Sequence, residues 1–129
     1  MVEDFKKVLD VLKERGKPVW IFAFLKMDEF LDKWSLVISA PWINESNKNS
    51  EFEGVLDIVK KNISNEKLSS IARIVLLDKD DHLIQELLKK NSGDEIRDEK
   101  INGNTVHYGY IIESNPNLEL QVNGNLFRK

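Results

Sequence analysis

The first part of the chain changes from a helical hydrophobic pattern to a continuous apolar run. Apolar residues separated by charged ones recur at the period of a helix: Val2, Phe5, Val8, Leu9 and Leu12. Gly16 and Pro18 end this helix. The run that follows, up to Met27, is almost entirely apolar, and several of its residues are aromatic or β-branched. It predicts a strand that is buried on both faces.

A second strand is predicted from Trp34 to Ala40, where bulky apolar side chains occupy alternate positions. Pro41 ends it, because proline has no N–H to donate to a ladder. The polar connection over residues 28–33 is too short to hold a crossover helix. The first two strands are therefore predicted to pair antiparallel.

A helix and a third strand are predicted after a polar loop. Ser50 and Glu53 have the spacing of a capping box, so the helix is expected to begin there. The third strand is predicted from Ile71 to Leu77. The intervening path is long enough for a right-handed crossover, which would make the second and third strands parallel. A further helix is predicted over residues 80–90.

The last third of the chain has the pattern of a hairpin. Two β-prone segments, 95–101 and 105–113, flank an Asn-Gly turn at Gly103. The turn motif recurs at Gly124, so residues 114–129 are interpreted as a second small hairpin or a tail that orders on a partner. Together these elements predict one α/β domain over residues 1–129, with a mixed sheet and flanking helices. An α+β arrangement remains the alternative.

Composition excludes several classes of function. The chain has 129 residues, which is the length of one ordinary domain. Its formal net charge of -3 disfavours a nucleic-acid binder that relies on bulk positive charge. The absence of cysteine excludes disulfides, thiolate metal sites and a cysteine nucleophile. The acidic N-terminus and the short apolar run from Val19 to Leu25 predict a cytoplasmic protein with no membrane partner.

Two stretches of the sequence resemble a family pattern. They are Trp-Ser-Leu-Val-Ile-Ser-Ala-Pro-Trp over residues 34–42 and Ser-Ile-Ala-Arg-Ile-Val-Leu-Leu-Asp-Lys-Asp-Asp over residues 70–81. The pattern is similar to that of small uncharacterised prokaryotic proteins of similar length, and the following hairpin resembles theirs too. The resemblance implies a prokaryotic source but no activity, and it identifies no catalytic residue.

The acidic cluster at the start of the predicted fourth helix is the sharpest candidate for chemistry. Asp78, Asp80 and Asp81 follow the third strand, and His82 comes next. At the carboxyl end of a strand, three carboxylates are suitable ligands for Mg²⁺ or Mn²⁺, with His82 as a proton carrier. The structural alternative is that Asp78 or Asp80 caps the helix.

Other candidate catalytic residues are more scattered. Asp98, Glu99 and Lys100 have the acid-x-Lys spacing of some metal-dependent nucleases. His107 is a possible base on the hairpin, and Ser39 is a possible nucleophile if His82 or His107 activates it. No phosphate-binding glycine motif and no zinc-binding histidine pattern occurs, so no cofactor is predicted beyond the Mg²⁺ or Mn²⁺ alternative.

Arg73 is a charged residue inside an otherwise apolar strand. A buried charge is costly unless it is paired. Arg73 is therefore interpreted as facing a carboxylate such as Asp57 or Glu113, or as marking an edge of the sheet. Anion binding is the functional alternative.

The remaining candidates concern interaction. Trp42, after Pro41, either anchors a partner or folds back to close the core. The N-terminal helix and the C-terminal hairpin are further surfaces for a protein partner or for a homodimer. The favoured hypothesis is a non-enzymatic protein-interaction or regulatory module. The alternative is a metal-dependent hydrolase, either a phosphoesterase or nuclease-like.

Overall fold

Four helices are interspersed with the first three strands of the chain, and a hairpin follows them. The computed structural model describes residues 2–27, 33–101 and 103–119. The elements are α1 (Val2–Glu14), β1 (Ile21–Met27), β2 (Trp34–Ser39), α2 (Lys48–Asn62), α3 (Asn65–Leu68), β3 (Ile71–Leu76), α4 (His82–Leu88), β4 (Glu95–Ile101) and β5 (Asn104–Ser114).

The five strands form one mixed sheet in the order β3-β2-β1-β5-β4. β1 pairs antiparallel with both β2 and β5, and β4 pairs antiparallel with β5. β2 and β3 are parallel, and the crossover between them contains α2. The predicted α/β class, the antiparallel first pair and the parallel second pair are all confirmed. β1 is central, which explains its apolar sequence.

Helices cover both faces of the sheet. On one face, α1 and α2 pack against each other and against a core that includes Phe5, Phe22, Phe24, Leu36 and Val59. On the other face, α4 packs against β1 and β5, over a second core that includes Ala23, Leu25, Ile84, Ile96 and Ile111. Successive side chains of a strand point to opposite faces of the sheet, so the apolar side chains of the central strands pack into one or the other of these two cores.

The predicted start of α2 at Ser50 is wrong. The helix begins at Lys48, and Asn47 occupies the cap position. Asn44 and Asn47 form a side-chain network in which Asn44 Oδ1 accepts the N–H of Asn47 at 3.0 Å. The Ser50 hydroxyl donates to the Asn47 carbonyl instead of capping a free N–H. The asparagine loop thus starts the helix before the capping-box sequence is reached.

Two further expectations concern the ends of the chain and membranes. The predicted hairpin around Gly124 lies outside the described residues. Among the helices of the described part, none is long and apolar enough to cross a bilayer.

Candidate functional site

The acidic cluster after β3 acts as a helix cap in this structure. Asp81 is the cap residue of α4, and its Oδ1 accepts the N–H of Leu83 at 2.9 Å. The predicted cap at Asp78 or Asp80 is therefore wrong by one to three positions, and both of these residues are exposed. Across residues 2–27, 33–101 and 103–119, no group of three histidine or acidic side chains is placed to hold a metal ion.

The candidate catalytic residues do not form one site. The Ser39 hydroxyl is fully buried and makes no hydrogen bond to any described residue, so no base is in place to activate it. His82 is exposed at the start of α4. On the hairpin, His107 Nδ1 lies 3.6 Å from Asp98 Oδ1. Since Ser39 has no histidine partner, nucleophilic serine chemistry finds no support here.

The acid-x-Lys triplet on β4 is also dispersed. Glu99 Oε1 lies 3.1 Å from Lys90 Nζ, an ion pair between β4 and the end of α4. Asp98 has a positive φ of 47° and faces His107, while Lys100 is exposed. A nuclease arrangement requires the acids to converge on one point, and these two acids are engaged with separate partners.

Trp42 closes one end of the core. Its Nε1 donates to the Pro18 carbonyl at 2.6 Å, and the Lys17 ammonium lies 5.2 Å from its ring centroid. The ring also packs against the core beneath α1 and α2, and Pro41 beside it is half-buried. Of the two interpretations of Trp42, the structure favours the one in which it folds back onto the core.

The N-terminal helix is likewise engaged. The apolar side of α1 is buried against the sheet and α2 through Phe5, Val8, Leu9 and Leu12. Lys67 of α3 donates to Asp4 Oδ2 at 2.7 Å, and this hydrogen bond lowers the pKa of the Asp4 carboxyl below its ordinary value. The helix therefore has no apolar side left for a partner.

A row of aromatic rings and cations crosses the sheet near the β4–β5 hairpin. Lys26 lies 4.6 Å from the Trp34 ring, and the Arg97 guanidinium lies 5.0 Å from the Tyr108 ring. Burial raises the pKa of the Tyr108 hydroxyl, and the nearby Glu95 adds to this effect. Each of these two cations already stacks on a ring of the same chain, so their cation–π contacts are formed within the fold.

The comparisons with known proteins identify no relative. No family model, no curated protein and no solved structure matches this chain.

The surface that the sequence did not point to is a groove beside β3, here called the edge groove. Its volume is about 310 Å³. Its apolar lining comes from α2, α3 and β3: Phe52, Leu56, Val59, Leu68, Ile71 and Ile74. All of these except Val59 are only half-buried. Lys60 lies at the rim of the groove.

β3 itself is an edge strand with one unpaired side. Among the strands of residues 2–27, 33–101 and 103–119, its only neighbour in the sheet is β2. The N–H of Leu77 donates to the carbonyl of Ile38 at 3.0 Å, and the regular register from Arg73 onward therefore directs the backbone of Arg73, Val75 and Leu77 toward β2. By this alternation, the backbone groups of Ile74 and Leu76 point away from the sheet. The edge groove thus adjoins a strand that can accept a further strand.

Arg73 marks this edge, as one of the two structural interpretations predicted. Its Nε donates to the Ser35 hydroxyl at 3.1 Å. The predicted pairing with Asp57 or Glu113 is wrong, because Asp57 pairs with Lys61 and Glu113 pairs with Lys13. The Nε–H of Arg73 therefore contacts a side chain of β2.

Proposed function

We propose that this chain is a non-enzymatic protein-interaction module that binds an extended apolar segment of a partner at β3. The observation that carries the proposal is the combination of an open edge strand with an apolar groove alongside it. Adding a strand to an exposed sheet edge is a common mode of peptide recognition. In that mode the backbone supplies affinity and alternate side chains supply specificity.

The edge groove meets both requirements. The outward backbone groups of Ile74 and Leu76 supply donors and acceptors for a new ladder. On the α2 side of the sheet, Phe52 and Leu56 offer half-buried apolar surface to every second side chain of the added strand. A bound segment is therefore expected to have apolar residues at alternate positions.

The test uses a peptide with the sequence of residues 70–78, an almost continuously apolar segment whose alternate positions 72, 74 and 76 are all apolar. The peptide carries a fluorescein label, and its binding to the full chain is followed by fluorescence anisotropy. We expect a dissociation constant of about 10 to 100 µM, as is typical of small interfaces. A peptide with Ile74→Pro is expected not to bind, because proline has no N–H and disturbs the extended pairing.

Variants of the protein locate the binding site. Leu56→Lys introduces a charge into the edge groove and should weaken binding of the peptide at least about tenfold. Leu88→Lys is the matched control, because Leu88 is also a half-buried leucine on a helix but lies on the α4 side. Equal affinity of the wild type and the Leu56→Lys variant would rule out the edge groove as the site.

A further inference from the structure

We infer that the partner at the edge groove is a second copy of this chain. The inference rests on the proposed function, and it names the segment that binds there as β3 of the other copy. The two β3 strands pair antiparallel about a two-fold axis, so the two sheets join into one continuous sheet. Three features of the edge fit this symmetry.

The first feature is the register of the strands. In an antiparallel pair, residues that lie opposite each other have their side chains on the same face of the sheet. A two-fold axis at Ile74 sets this residue opposite its own copy and exchanges both of its outward backbone hydrogen bonds. Arg73 then lies opposite Val75 of the second copy, so the two guanidinium groups do not face each other.

The second feature is the charge pattern of α2. Glu53 and Lys60 are both exposed, and neither forms an ion pair with a described residue. Their separation of seven positions is close to two helical turns, so both lie on the flank of α2 that carries Leu56. In an antiparallel pair of α2 helices, each Glu53 therefore meets Lys60 of the other copy.

The third feature is that the centre of the α2 pair and the centre of the β3 pair fall on the same surface. The midpoint between Glu53 and Lys60 lies beside Leu56 on α2, and the strand axis lies at Ile74 on β3. Both Leu56 and Ile74 line the edge groove, so they belong to the same surface of the fold. A single two-fold axis can therefore pass through the helix pair and the strand pair at once. An arbitrary partner would not require this agreement.

The size of the contact sets the expected strength. β3 has six residues, so the strand pair is about 20 Å long. With one helix flank added, the buried area is near the lower limit for a stable interface. The dimer is expected to dissociate at micromolar concentrations, which makes single charge reversals measurable.

The main experiment measures the mass of the full chain by sedimentation equilibrium between about 1 and 500 µM, a range around the expected dissociation constant. Glu53→Lys and Lys60→Glu should each weaken the dimer by about tenfold, because each places like charges in contact twice. An equimolar mixture of the two variants should regain wild-type affinity, since both contacts become attractive again. Lys100→Glu on β4 is the control and should leave the dimer unchanged.

A second experiment locates the axis. The chain has no cysteine, so Ile74→Cys introduces a single thiol. Opposite residues in an antiparallel pair are close enough for a disulfide. Oxidation with oxidised glutathione should convert this variant into a covalent dimer on a non-reducing gel. Lys100→Cys, treated identically, should remain monomeric at the same concentration.

Each outcome separates the inference from the proposed function. A chain that stays monomeric while the labelled peptide binds overturns the dimer and leaves the edge groove as a site for another protein. A dimer that the charge variants do not weaken, or that their mixture does not restore, overturns the inferred arrangement. A monomeric chain that also fails to bind the peptide overturns both. A dimer with the expected mixture behaviour and the Ile74 cross-link supports both.

Discussion

The two edges of the sheet are built in different ways. β4 forms one edge, and its exposed side chains are charged, including those of Glu95, Arg97 and Lys100. β3 forms the other, and its six residues include one charge, at Arg73. Charged side chains on an edge strand oppose pairing with another chain, whereas an apolar edge permits it. The β4 edge is thus protected, and the β3 edge is open.

This asymmetry limits how far association can go. If both edges were open, copies could add to each other without end and form fibres. In the part of the chain that the structure describes, β3 is the apolar edge, so a two-fold pair through β3 uses up that edge and leaves the charged β4 strands at both ends of the joined sheet. The difference between the edges therefore favours a closed dimer over a filament.

The largest expected effect is the loss of free energy of unfolding when an isoleucine is truncated, which should differ between the two edge strands. Ile96 of β4 is fully buried beneath α4, whereas Ile74 of β3 is half-buried. Ile96→Ala should lower the free energy of unfolding by about 2 to 4 kcal/mol, because it leaves a cavity in the core. Ile74→Ala should lower it by only about 1 kcal/mol, since the site is open. Urea unfolding at low protein concentration measures both, and equal losses would contradict the comparison.

The next effect tests how tightly β5 and β4 are packed. A Cβ added at Gly109 of β5 would lie 2.7 Å from Leu25 Cδ2 and 3.3 Å from Ile96 Cβ. Gly109→Ala should therefore lower the free energy of unfolding by about 1 to 3 kcal/mol. Gly54→Ala on α2 is the control, because nothing lies within 4 Å of its added Cβ. That variant should be neutral or slightly stabilising, as alanine favours a helix. Thermal unfolding followed by circular dichroism distinguishes the two.

A smaller effect concerns the cap of α4, the helix that covers the β4 side. Asp81→Ala removes the hydrogen bond to the N–H of Leu83 and should lower the free energy of unfolding by about 1 kcal/mol. Asp78→Ala, at an exposed position outside the cap, should change it by a few tenths at most. The same melts with Mg²⁺ or Mn²⁺ added should show no rise in Tm. A rise that the Asp81→Ala variant lacks would revive the metal-site hypothesis.

The smallest effect concerns pH and the contact between Lys67 of α3 and Asp4 of α1. The pKa of Asp4 is lowered by its hydrogen bond to Lys67, so the folded state favours the ionised carboxylate. The stabilisation is present above the unfolded-state pKa of about 4 and is lost as the pH falls through the lower folded-state pKa. Asp4→Asn should flatten the decline in stability below about pH 4. Asp57→Asn, which removes an exposed pair with Lys61, should leave that decline unchanged.

Much of the fold follows from local patterns in the sequence. The apolar run of β1 predicts a central strand, and the Asn-Gly turn predicts the β4–β5 hairpin. The strand order did not follow, because β1 pairs with β5 through contacts such as Ile21 with Ser114, which no local signal specifies. The start of α2 was missed because the helix begins after the hydrogen-bonded loop of Asn44 and Asn47, ahead of the capping-box sequence at Ser50.

The edge groove was not predictable for a related reason. The apolar residues of α2 indicate one buried side, and they include Leu56, which the structure leaves half-buried. Which of these residues faces the core depends on where β3, the strand after the α2 crossover, lies in the sheet. Because β3 lies at an edge, one side of α2 is only partly covered. Arg73 was the one sequence signal for that edge. For the chemical candidates at Asp78 and Ser39, motif spacing does not determine whether side chains converge, so these assignments stay predictions.

The order of strands has a consequence for synthesis. The centre of the sheet joins β1, made early, to β5, made after three other strands and three helices have emerged. During translation, β1 has β2 on one side and an empty flank on the other until residues near Ser114 have left the ribosome. Because β1 is the most apolar strand of the sheet, the nascent chain exposes its most apolar strand to solvent throughout that interval. We therefore expect a ribosome-bound chaperone that binds apolar segments to bind the nascent chain at Ile21–Met27.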